Sequence, residues 1–120
     1  MEDLILFDSE YKLMEIIWEY EPVRSGDVVK YCSEKYDWKK STTYTVLKKL
    51  SEKGVLKNED SVVMSLINKE QVQETQSSQM VRKSFGGSLP AFVSAFLKNE
   101  SVTKEEAKEL MELISEHIEE

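Results

Sequence analysis

Cysteine and histidine are nearly missing from this chain. Cys32 is the single cysteine, so no disulfide can close within the chain and no multi-cysteine metal site exists. His117 is the single histidine. A Ser-His-Asp triad would have to run through it and would need a buried, oriented imidazole. Flanked by Glu116 and Ile118, it reads instead as a solvated helix-end residue. Glycine is sparse and forms no phosphate-cradling loop, since Gly86-Gly87 follows a predicted helix rather than a strand. No apolar run approaches the roughly 20 residues of a membrane helix. The acidic start, Met1-Glu2-Asp3, lacks the basic segment that opens a secretory leader. These absences predict a cytoplasmic protein without membrane insertion, catalytic centre, metal or cofactor. The acids Glu105, Glu106, Glu109 and Glu112 read as a solvated face rather than a paired-carboxylate site.

What is present suits folding. The 120 residues are 40% hydrophobic and 32% charged, enough for one compact domain or a small domain with an appendage. The net charge of −7 counts at first against a nucleic-acid partner, but its distribution matters more than its total. Residues 38–57 hold Lys39, Lys40, Lys48, Lys49, Lys53 and Lys57 against Glu52 alone, a local net of +5.

The apolar spacing predicts three helices followed by a hairpin. Tyr11, Leu13, Met14, Ile17 and Trp18 share one face of a first helix. Asp8 or Ser9 can cap that helix, Glu10 is solvated at its start, and Glu21-Pro22 closes it. A second helix runs from Ser25, its predicted cap, to about Lys35. Val28, Val29 and Cys32 face inward, the cysteine serving as a small core residue. Tyr36-Asp37-Trp38 is a turn. In the third helix, Ser41 to Lys53, Thr43, Val46, Leu47 and Leu50 face inward, and Gly54 suits a left-handed terminator. Val55-Leu56-Lys57, a turn at residues 58–61, and Val62 to Ile67 form the hairpin. The fold class is therefore mainly α with a small β-hairpin wing, a winged helix-turn-helix over 1–68.

Residues 69–120 read as a helical dimerisation domain. A helix polar on most sides runs from Asn68 to about Ser84. Ser88 and Pro90 open a short helix bearing Phe92, Val93, Phe96 and Leu97. Thr103-Lys104-Glu105-Glu106 is a capping box opening a last helix with Leu110, Met111, Ile114 and Ile118. Two short helices cannot bury these stripes alone. Pairing with a second copy solves this economically.

The third helix carries the functional signal. Thr42, Tyr44 and Thr45 lie in its first turns, and Lys48 and Lys49 follow one turn later. Short hydroxyl groups reach base edges in the major groove, while cations hold phosphates. Lys39 and Lys40 precede the helix and Lys57 lies on the wing. These eight residues are the predicted contacts to double-stranded DNA. A winged-helix protein-interaction adaptor and a ligand-responsive regulator of another winged-helix family are the alternatives.

The stretch Ser9-Glu10-Tyr11-Lys12-Leu13-Met14-Glu15-Ile16-Ile17-Trp18, the run Ser41 to Gly54, and the tail segments Ser84 to Ser88, Phe92 to Leu97 and Thr103 to Leu110 together resemble the penicillinase-repressor family of bacterial regulators. The resemblance covers about residues 7–118. It implies a homodimeric transcriptional repressor on a palindromic operator, with Thr42, Tyr44, Thr45 and Lys48 at the positions of the DNA-reading helix. Some members are inactivated by tail cleavage triggered by a membrane sensor-protease. The matching bond here is Ala95-Phe96, with Ala95 in place of the family's usual asparagine. Copper-responsive members carry a C-terminal cysteine cluster, which this chain lacks.

Overall fold

The computed structural model describes residues 5–119. The chain divides into two compact units, the first ending at Gln79 and the second beginning at Met80.

The first unit holds helix α1 (Asp8–Tyr20), strand β1 (Val23–Arg24), helix α2 (Ser25–Tyr36), helix α3 (Lys40–Glu52), strands β2 (Leu56–Glu59) and β3 (Val62–Ser65), and most of helix α4 (Lys69–Phe85). The strands form an antiparallel sheet in the order β1-β3-β2. Leu13, Met14, Ile17, Val28, Cys32, Leu50, Val55, Val63 and Val72 are all completely buried in one core. α1 packs on α2, α3 and β3, so its apolar face is the floor on which the other elements stand. Trp18 anchors the rear of this core: its indole N–H donates to the Ile67 carbonyl at 2.9 Å, and Tyr11 meets it edge-on with ring centroids 5.7 Å apart.

Two helix starts in this unit depart from the sequence reading. α1 is capped neither by Asp8 nor by Ser9. Phe7 holds the cap position, and its N–H donates to the Glu10 carboxylate at 2.8 Å. Glu10, expected in solvent, is buried, because it also receives Lys53 Nζ at 2.6 Å. Ser25 does not cap α2 either. It is the first helical residue, after Arg24, and its own N–H donates to the Ser61 carbonyl of the hairpin. The other end of α1 is tied to the sheet: the Glu21 carboxylate accepts from the Ser65 N–H and hydroxyl, each at 2.8 Å.

The wing is a tight hairpin. Glu59 pairs with Val62, leaving Asp60 and Ser61 as a two-residue turn with φ of 53° and 65°. Paired positive φ values match the right-handed twist of the flanking strands. β1 was not foreseen. Two residues carry no periodicity, yet Val23 pairs with Val63 and Arg24 with Val62, which makes the hairpin a three-stranded sheet.

The second unit contains helices α5 (Leu89–Asn99) and α6 (Lys104–Glu116). Their caps follow the sequence. The Ser88 hydroxyl accepts from the Ala91 N–H at 3.1 Å, and Thr103 and Glu106 exchange reciprocal 3.0 Å bonds. Phe85 and Phe92 meet edge to face.

Candidate nucleic-acid interface

α3 separates its residues by burial. Thr43, Val46, Leu47 and Leu50 are buried against α1, α2 and the start of the hairpin. Thr42, Tyr44, Thr45, Lys48 and Lys49 are all exposed, as are Lys39 and Lys40 at the start of the helix and Lys57 on β2. A helix with 3.6 residues per turn places positions 42, 45, 48 and 49 along one outer stripe, with 44 at its edge. Hydroxyl groups therefore occupy the first two turns, and ammonium groups follow.

The Thr45 hydroxyl donates to the Ser41 carbonyl at 2.9 Å. That bond leaves its oxygen lone pairs outward as acceptors. Lys40 Nζ lies 5.9 Å from the centre of the Tyr44 ring, a cation–π contact at the entrance of the helix. Among the described residues, Lys39, Lys40, Lys48, Lys49 and Lys57 form no ion pair with a carboxylate.

Lys53 is the exception in the basic segment. Its ammonium turns away from the stripe onto buried Glu10, touches the Ile5 carbonyl at 3.4 Å and lies over the Phe7 ring at 4.7 Å. One of the six lysines in residues 38–57 is thus structural. Its partner could have been suspected from Glu10 lying on the apolar side of the α1 pattern.

Cys32 faces α3 from α2. Burial pushes its thiol up from the ordinary range, and a hydrogen bond with Thr43 opposes this less strongly. A protonated, enclosed thiol packs and does not react. Among the described residues no group of carboxylate, histidine or cysteine side chains could hold a metal ion, and no helix is long and apolar enough to cross a membrane.

Sequence reasoning missed Arg24. It is exposed at the junction of β1 and α2, beside the wing turn. Only the fold brings it near the wing turn; along the chain, helices α2 and α3 and strand β2 separate the two.

The second unit presents a different surface. No residue of α5 or α6 is buried. Phe96, Leu97, Leu110, Met111, Ile114 and Ile118 stand between 46% and 66% exposed. An open apolar groove of about 600 Å³ is lined by Phe92, Val93, Phe96, Leu97, Leu110 and Met111, among others. Of the eight residues expected to mediate pairing, six line this groove and Ile114 lies on α6, whereas Ile118, expected on the last helix, is exposed beyond the helix end at Glu116, which His117 caps. The Ala95–Phe96 bond lies within α5, in helical backbone.

Comparison with known proteins places both units in one family. A family model described as penicillinase repressor matches residues 6–116. The chain is 28% identical over 114 residues to a penicillinase repressor of Bacillus licheniformis, covering 92% of this chain and 89% of the relative. It is 23% identical over 112 residues to a penicillinase repressor of Staphylococcus aureus, covering 90% and 89%. A shorter match, 39% identical over 51 residues, is to an uncharacterized 16.5 kDa protein of Latilactobacillus sakei, covering 42% of this chain and 35% of that one. With a single family model spanning both units, the chain belongs to the penicillinase repressor family.

Proposed function

We propose that this transcriptional repressor works as a homodimer that places two copies of α3 in successive major grooves of a palindromic operator, about 34–36 Å apart. Phosphate neutralisation by Lys39, Lys40, Lys48, Lys49 and Lys57 supplies most of the affinity. Thr42, Tyr44 and Thr45 choose the sequence. The observation that carries this reading is the two-sidedness of α3: a sealed apolar stripe inward and an unobstructed hydroxyl-then-lysine stripe outward. An acidic chain that concentrates exposed cations on one helix and the adjoining wing is suited to a polyanion.

The same reading assigns the apolar faces of α5 and α6, within a dimerisation domain of residues 69–120, to a second copy of the chain. Together they leave Phe96, Leu97, Leu110, Met111, Leu113 and Ile114 exposed, and large exposed apolar patches mark interaction sites. Linking two DNA-binding units raises operator affinity without any new contact, so loss of pairing releases DNA. Cleavage at Ala95–Phe96 by a membrane sensor-protease would remove the last four residues of α5, Phe96 and Leu97 among them, and all of α6 from that surface. The bond is helical, so α5 must open before a protease can take it.

The test is a salt titration of duplex binding by fluorescence anisotropy. Lys48→Ala should lower the slope of log K against log salt by about 2 per dimer, one phosphate per subunit. An unchanged slope would remove Lys48 from the interface. Failure of the unaltered chain to bind heparin or duplex at low salt would favour a protein-interaction adaptor instead.

A further inference from the structure

We propose that Arg24 is a phosphate contact made jointly by the start of α2 and the wing, at a point separate from the α3 stripe. The proposal rests on the DNA-binding reading above and adds to it a residue outside the basic segment.

The geometry begins with the sheet. Val23 is buried and pairs with buried Val63, which fixes the inward face. Alternation then turns Arg24 to the opposite face. On that face Arg24 pairs with Val62, and Val62 pairs with Glu59 on its other side; two residues along, Met64 pairs with Lys57. The outward face of the wing sheet therefore carries Arg24 at its β1 edge and Lys57 on β2, with half-buried Val62 and exposed Met64 between them.

The backbone at Arg24 is held in place. Its φ of −72° and ψ of 143° are extended, and the next N–H, from Ser25, donates to the Ser61 carbonyl at 2.9 Å. The residue is thus pinned to the wing turn on one side and to α2 on the other. In helix-turn-helix docking the first helix of the pair crosses the DNA backbone while the second enters the groove. Here that first helix is α2, and Arg24 is its cap. A guanidinium offers a planar fork of donors that matches a phosphate in two-pronged fashion. The positive end of the α2 dipole lies beside it and favours the same anion.

The wing tip explains why a cation is needed there. Glu59 and Asp60 are exposed at the turn and repel phosphate. Arg24 shares a sheet row with Glu59, two strands away, or about 10 Å. It offsets that repulsion at the point where the wing and α2 approach one strand of the duplex.

The experiment uses the full-length protein and a labelled random-sequence duplex of about three helical turns, titrated by anisotropy across a salt series. Arg24→Gln should lower the salt slope by about 2 per dimer and weaken binding about tenfold per subunit near 0.1 M salt. Arg24→Lys should restore the slope, since the charge returns without the fork. A wild-type slope in Arg24→Gln, or a slope that Arg24→Lys fails to restore, overturns the assignment of Arg24 while leaving the repressor reading intact. If the unaltered chain does not bind the duplex at all, the repressor reading falls, and the role of Arg24 with it.

Discussion

The two units of this chain treat apolar side chains in opposite ways. In the first, Leu13, Ile17, Val28, Leu50, Val63 and Val72 are fully enclosed, and the Trp18 indole finds a carbonyl partner. In the second, helices of comparable length and sound capping bury nothing completely. Local signals are satisfied in both, because Ser88 and Thr103 cap their helices as well as any residue in the first unit caps its own. What differs is whether the chain supplies enough partners to cover each stripe. Good caps and periodicity specify helices. They do not specify that a core exists.

This contrast can be challenged at four places, in order of expected effect. Leu50→Ala empties a site in the closed core and should cost about 2–5 kcal/mol, read from urea unfolding followed by tryptophan fluorescence. A loss under about 1 kcal/mol would mean that the first unit is packed as loosely as the second. Lys53→Met strands the buried Glu10 carboxylate, one of whose oxygens already lacks a partner, and should cost about 3 kcal/mol. The double variant Glu10→Gln with Lys53→Met should recover much of that loss in the same assay. Ile114→Asp on the open face should leave the urea midpoint of the first unit in place. It should raise the dimer dissociation constant about 100-fold, or about 2.7 kcal/mol, by sedimentation equilibrium. An unchanged dimer would free the α6 face for another role. Gly54→Ala should cost about 1 kcal/mol in thermal melts, since φ is +77° while no atom lies within 4 Å of the added carbon, so backbone strain alone is measured.

Much of the fold was legible in the residues. The inward stripe of α3 and the capping box at Thr103 followed from spacing alone, and both hold. The exposure of Thr42, Tyr44, Thr45, Lys48 and Lys49 followed from the same spacing. Three features were illegible for a common reason: each joins residues far apart in sequence. β1 exists because Val23 and Arg24 meet Val63 and Val62. Glu10 is buried because Lys53 comes to it from the end of α3, 43 residues away. Arg24 stands beside the wing because the Ser25 N–H reaches Ser61. Periodicity reports which side of an element is apolar; it does not report which remote polar group will arrive to satisfy a charge.

The division of labour along α3 has an evolutionary corollary. The positions that hold the helix in place, 43, 46, 47 and 50, are disjoint from those that face outward, 42, 44, 45, 48 and 49. Exchanges at exposed positions away from special backbone geometry ordinarily change stability by less than about 0.5 kcal/mol. On the proposed DNA-binding role, a lineage could rewrite the address read by this helix while inheriting the scaffold untouched, and descendants of one ancestor could drift to different operators without passing through an unfolded intermediate.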